Sequence, residues 1–231
     1  SFFRVDVERL RRLAVVAALA MLTAAFVVAV SPHLRGISIR SSALTWSPNG
    51  EALVRIDALS SVLLPFTAAL WLLTVAVTPR AALDRRGLRR TALATLITLA
   101  SFLTESAVVL LLLSIASVWT FLSALADPSH RYQRRVVAAY LGVSTLLLGV
   151  GVALLVGPGV QNKTIETVAI WLIGIAALVR KGIVPFHAWV PEVFDPGRLG
   201  PAILFNAPQI GAYITVVLIV PRASPEMLRV I

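Results

Sequence analysis

Seven stretches of apolar residues succeed one another along the chain, separated by short charged or turn-forming segments. The first runs from about Leu13 to Val30 and the second from about Ala58 to Val77. A third block, Thr91 to Ala126, is longer than the roughly 20 residues that one crossing of a bilayer needs. It divides at Thr104-Glu105-Ser106, which gives a third and a fourth helix. The fifth covers about Val136 to Val156, the sixth Thr167 to Val184 and the seventh Pro201 to Val220. Runs of this length with few charges predict helices dissolved in lipid, where every backbone group must be bonded inside its own segment. The expected fold is therefore all-α: a polytopic transmembrane helix bundle of about seven spans, forming a single domain over residues 1–231. Ser1 stands where a Met would begin a chain, and the last residues, Met227 to Ile231, look cut short. The expectation is a segment of a longer subunit.

The charges between the runs orient the bundle. Arg4, Arg9, Arg11 and Arg12 precede the first span, and Arg80, Arg85, Arg86, Arg89 and Arg90 follow the second. Arg131, Arg134 and Arg135 follow the fourth, and Arg180, Lys181 and Arg198 follow or close the sixth. All of these fall on one side only if the third and fourth helices are separate. The other side receives Arg35, Arg40, Arg55, Lys163 and Arg222. Short cytoplasmic loops carry the excess of Lys and Arg, so the N-terminus is placed inside a cell's inner (cytoplasmic) membrane. The longest polar loop, Ser31 to Asp57, has turn signals at Ser31-Pro32 and Pro48-Asn49-Gly50 and suits a small outer cap.

Composition narrows the classes of function. Of the 231 residues 58% are hydrophobic and only 14% charged, against about a quarter charged in soluble domains, and mean hydropathy is +0.88. The net charge of +10 sits in the inter-helix segments rather than on one solvated face, which argues against nucleic acid and for a lipid bilayer. With no cysteine, disulfides, Cys-ligated zinc and iron–sulfur clusters are excluded within this chain. His33, His130 and His187 lie in different loops, so no metal site is expected. No phosphate-binding glycine loop, no catalytically spaced carboxylate pair and no nucleophile–base set is present. Neither a cofactor nor intrinsic catalysis is expected.

The most informative stretch is Arg180-Lys181-Gly182-Ile183-Val184-Pro185-Phe186-His187-Ala188-Trp189-Val190-Pro191-Glu192. It closes an apolar helix with two cations, then adds a histidine and an acid. Pro185 and Pro191 are expected to interrupt the helix, and Pro208 to break the seventh span, freeing backbone groups to face a polar cavity. An ionisable residue inside the membrane costs roughly 2.5–3.5 kcal/mol on insertion scales and marks a functional site by default. The competing reading is that both cations end the helix at the inner surface and snorkel to lipid phosphates. An imidazole can serve a proton relay, which makes His187 a candidate; the competing reading is a structural interfacial histidine.

The block Pro185-Phe186-His187-x-Trp189-x-Pro191-Glu192, behind a cationic helix end, resembles the antiporter-like membrane subunits. These include the proton-pumping subunits of respiratory complex I, multi-subunit sodium/proton antiporters, membrane-bound hydrogenases and the Dab-type inorganic-carbon complexes. Asp57-Ala58-Leu59-Ser60 is similar to a second family motif, Asp-x-Leu-Ser. The resemblance implies a proton- or sodium-translocating subunit of a larger energy-converting complex, such as an NADH:quinone oxidoreductase-like or hydrogenase-like one, with other membrane subunits as partners. It leaves open two alternatives. One is a coupling subunit for inorganic-carbon (bicarbonate or CO2) accumulation, working with a soluble zinc-bearing partner. The other is a non-conducting scaffold.

Two departures from the family pattern bear on mechanism. The family's lysine, five residues before the Pro-Phe-His block, is here Arg180, with Lys181 displaced by one position. Arginine keeps its proton at any physiological pH, whereas a buried lysine titrates readily. The family's glutamate, three residues before a Ser-x-x-Ser pattern, is here Leu111, ahead of Ser114 and Ser117. Glu105 is the nearest acid, at the helix boundary. The seventh span offers Asn206 and Gln209, which can hold a water chain or bond between helices but release no net proton. The candidate ion-translocation residues are thus Arg180, Lys181, His187, Asn206, Gln209 and Glu105.

Overall fold

The computed structural model describes residues 2–35, 39–40, 54–79, 85–125, 130–157, 162–194 and 209–224. These form eight helices and one two-stranded ribbon: α1 (Phe2–Arg35), β1 (Ile39–Arg40), β2 (Arg55–Ile56), α2 (Ala58–Val77), α3 (Arg85–Ser101), α4 (Ala107–Ala124), α5 (Arg131–Val156), α6 (Lys163–Lys181), α7 (Trp189–Phe194) and α8 (Gln209–Ile219). The protein is all-α apart from the ribbon, in which Ile39 pairs with Ile56 and Arg40 with Arg55, antiparallel. Three helical segments are long and apolar enough to cross a bilayer: Glu8–Ser31, Ala58–Val77 and Arg131–Val156. Two shorter apolar segments, Ala107–Ser123 and Gln209–Ile219, stand with them.

The helices start earlier than the apolar runs do. Arg85, Arg86, Arg89 and Arg90 lie inside α3, and Arg131, Arg134 and Arg135 open α5. Cations at a helix N-terminus oppose the macrodipole by about 0.3–1 kcal/mol each. Helix stability therefore does not explain their position. In α6 the charges agree with the dipole, with Glu166 in the first turn and Arg180 and Lys181 in the last.

Helices pack in sequence order: α1 on α2, α2 on α3, α3 on α4, α4 on α5, α5 on α6, and α8 returns to α6. The buried interior combines apolar side chains such as Leu64, Leu110, Leu148, Ile173 and Ile214 with small hydroxyl residues. Thr95, Thr98, Ser101, Ser117 and Thr120 are buried and donate to carbonyls three or four residues back in their own helices. Large aliphatic side chains point outwards, with Leu146 69% and Val77 71% exposed. Small and hydroxylic inside, aliphatic outside is the distribution expected when the surrounding solvent is itself apolar.

The α3–α4 boundary is built as a clasp. Asp57 caps α2, accepting from the Ser60 backbone N–H at 2.8 Å and from its hydroxyl at 2.9 Å. The Ser60 hydroxyl also reaches the Phe102 carbonyl at 2.6 Å, and Arg55 N–H donates to Leu103 O at 2.7 Å. Tyr213 of α8 donates to the carbonyls of Phe102 (3.1 Å) and Thr104 (3.3 Å), its ring edge-on to Phe102. The carbonyls of the turn between α3 and α4 thus acquire partners from β2, α2 and α8.

The α5–α6 contact depends on a missing side chain. A Cβ at Gly151 would lie 2.6 Å from Ile173 Cγ1 and 3.0 Å from the Ala169 carbonyl. Gly151→Val is expected to destabilise by about 1–3 kcal/mol through overpacking, lowering the thermal midpoint of tryptophan fluorescence in detergent. Gly142→Ala, where nothing lies within 4 Å, serves as the neutral control.

Candidate functional site

Helix α6 stops well short of the end of its neighbour. Ser144 of α5 donates to Ala176 O at 2.8 Å, and Gly151 faces Ala169 and Ile173, so the two helices run antiparallel in a defined register. Continuing that register puts Arg180 level with Tyr140, nine residues inside the start of α5 at Arg131. At 1.5 Å per residue this is about 14 Å short. The two cations therefore lie partway down the bundle. The expectation that they mark the inner surface is not met for Arg180, which is only 1% exposed.

The stop is made by glycine. Gly182 has φ +67°, the left-handed conformation that closes a helix, and its N–H returns to the carbonyls of Leu178 and Val179. A Cβ there would also meet Val190 Cγ2 at 2.5 Å. Pro185 sits beyond this, in the connecting segment, with a cis Val184–Pro185 peptide. The helix break expected near Pro185 is present, but Gly182 ends the helix three residues before it. Pro191 corrects the expectation of a second interruption. It falls in the first turn of α7, where a missing N–H is no loss, so it helps to open a helix.

The chain then fills the space beneath α6. Trp189 is fully buried, donates from Nε1 to Val179 O at 2.9 Å, and packs edge-on against Phe121. With Leu125, Val137, Leu141 and Val193 it forms a plug joining α4, α5 and α7. Pro185 and Phe186 meet Tyr140 and Val179 along an apolar groove of about 420 Å³.

Arg180 reaches sideways into the middle of α4. Its Nη1 donates to Ser117 Oγ at 3.2 Å and its Nη2 to the Ser114 carbonyl at 3.2 Å. The Ser117 hydroxyl donates in turn to Ser114 O at 2.7 Å. Arg180 Nε and Ser114 Oγ are both buried without a hydrogen-bond partner. Among the described residues Arg180 forms no ion pair; the pairs present are Arg12–Glu8 and Arg55–Glu105. Leu111, one turn before Ser114, leans instead towards Gly149.

Lys181 is half-buried beside α8. A Cβ at Gly211 would lie 3.2 Å from Lys181 Cγ, 3.2 Å from Ala177 O and 3.4 Å from Arg180 Cβ, so a glycine lets α8 cross close to both cations. Gln209, at the start of α8, accepts from Thr67 Oγ1 of α2 at 2.8 Å. The first turn of α8 thus carries the amide that bonds α2 at Gln209 and, two residues on at Gly211, the close approach to the cations of α6.

The remaining candidates separate from this group. His187 is exposed, in the segment between α6 and α7. Glu105 pairs with Arg55 at the clasp, beyond the N-terminus of α4 and about nine residues of rise, some 14 Å, from the level of Ser114. It is thus neither a solvated loop acid nor a neighbour of Arg180. Asn206 and Pro208 lie outside the described residues. Among the described residues no group of three His, Asp or Glu side chains converges on a point.

Sequence reasoning singled out Arg180 and the Ser114/Ser117 pair but did not join them. Nor did it single out Thr67, whose partner Gln209 lies 142 positions away. No known family model, curated protein or solved structure matches this chain.

A lone buried guanidinium costs more in desolvation than two 3.2 Å hydrogen bonds return. Arg180→Met is accordingly expected to hold or raise the thermal midpoint, by up to about 1–4 kcal/mol of stability. A clear fall in midpoint would show the serine contacts to be the stronger term.

Proposed function

We propose that this chain is an antiporter-like ion-translocating membrane subunit, moving protons or sodium ions within a larger energy-converting complex. The observation that carries this reading is the fully buried Arg180, held at a helix end partway down an apolar bundle, with Lys181 beside it. A cation at that depth opposes insertion by about 2.5–3.5 kcal/mol and is kept where it serves transport. On this reading α1 to α6 and α8 are the seven spans. The arginine-rich ends of α1, α3 and α5 then face the cytoplasm, and the Arg55–Glu105 clasp faces outwards.

The two cations take different roles. Arg180 is the permanent charge, since its guanidinium keeps its proton at physiological pH. Lys181 is the exchanging group, because an ammonium, unlike a guanidinium, can give up its proton. The Thr67–Gln209 pair lies along the same stretch of α8 and supplies hydroxyl and amide groups that can support a water chain.

A second reading has support in Leu111. Where the pumping relatives have a glutamate, a leucine faces Gly149, and Arg180 engages serine groups instead. A chain without that carboxylate suits the inorganic-carbon coupling subunit, in which an ion current drives a soluble zinc-bearing partner. The proteins that co-purify in mild detergent separate these readings: further antiporter-like or quinone- and hydrogen-linked subunits support the first, a single large zinc protein the second.

Ion flux tests the shared part. In proteoliposomes carrying the intact complex, Lys181→Ala is expected to reduce proton or sodium flux to background, and Lys181→Arg to do the same, because a permanent charge cannot exchange. Arg180→Lys, which trades the permanent charge for an exchangeable one, is expected to lower flux. Wild-type flux in Lys181→Ala would remove Lys181 from the pathway.

A further inference from the structure

The surroundings of Arg180 have an imbalance that transport alone does not account for. A guanidinium offers five N–H donors, and the described residues accept two hydrogen bonds from it, one at Ser117 Oγ and one at Ser114 O. Its Nε–H is buried and without an acceptor. The Ser114 hydroxyl, a donor on the adjacent helix, is also buried and unused. A second cation, Lys181, lies next in sequence, and no described carboxylate forms an ion pair with either. The Nε–H is a donor without an acceptor, the Ser114 hydroxyl is free to donate or to accept, and the local charge is positive.

A small anion would complete a cluster of this kind. A buried charge needs a counter-charge, and unused N–H and O–H donors need acceptor oxygens. The fork formed by Nε–H and the neighbouring Nη–H matches two oxygens held in one plane, the geometry of carboxylate-type groups. The Ser114 hydroxyl adds a third donor. We infer that Arg180, Ser114 and Ser117, between α4 and α6, form a binding site for a small, planar, monovalent oxyanion. Formate and nitrate are the simplest members of that class. The inference concerns the occupant of the site and holds whether or not the chain conducts cations.

The site makes the protein's stability depend on which anion surrounds it, because a ligand of the folded state raises the unfolding free energy by mass action. The test uses the purified full-length protein in mild detergent and follows its thermal midpoint by tryptophan fluorescence. Sodium gluconate, the bulkiest of the three anions, is replaced stepwise by sodium formate or sodium nitrate at constant ionic strength. The expected result is a saturable rise in midpoint for the native protein beyond the general salt effect, which is read from Arg180→Gln. Ser114→Ala, a small change that keeps the helix contacts, should shift the titration to roughly ten-fold higher anion concentration. Equal responses in the native protein and Arg180→Gln would overturn the proposal and leave water or a carboxylate of another segment as what satisfies the arginine. Should Arg180→Gln fail to fold, Ser114→Ala decides alone, and an unshifted titration in that variant would also overturn it.

Discussion

Everything distinctive about this bundle follows from a charge placed where a helix ends too soon. Arg180 can lie at mid-depth only because Gly182 turns the backbone left-handed and stops α6 about nine residues short of the full length of α5. An ending helix leaves carbonyls unbonded, and here they are met by the Gly182 and Ile183 N–H groups and by the Trp189 indole. Without Trp189 in its plug of Phe121, Val137 and Leu141, the space beneath α6 would be open and the cation would no longer be dry. The arginine, the glycine and the tryptophan are thus one device spread over ten residues.

A second constraint is close approach. Gly151 brings α5 against α6, and Gly211 brings α8 against the end of α6. Neither glycine is needed for a backbone turn; both are needed because a neighbour's backbone or side chain occupies the volume of a Cβ. In an apolar solvent helices gain little from hiding hydrocarbon from one another, so such contacts and interhelical hydrogen bonds hold the bundle together. Ser144 to Ala176 and Thr67 to Gln209 are bonds of that type.

Much of this was legible in the sequence where the signal is local. The division of the long apolar block at Thr104-Glu105-Ser106 corresponds to the gap between Ser101 and Ala107, and the second span coincides with α2. Asp57, noted for a motif, is the cap of that helix, which is a local hydrogen bond. What the sequence misplaced depends on geometry between distant segments. Proline was expected to end α6, because proline forbids helix, yet a glycine three residues earlier ends it first. Pro191 was expected to interrupt a helix, but the same missing N–H is harmless in a first turn. The Arg55–Glu105 and Arg180–Ser117 contacts span 50 and 63 positions, and periodicity carries no information on such pairs.

The clasp at the α3–α4 junction has a consequence for how the protein is made. The Phe102 carbonyl is served by Ser60 from α2, but the Thr104 carbonyl takes its hydrogen bond from Tyr213 on α8. Synthesis completes α2, α3 and α4, the last ending at Ala124, well before Tyr213 is made. During that interval the junction carries a polar backbone group whose final partner does not yet exist. Until then that carbonyl needs water or another polar partner, and the arrival of α8 seals it.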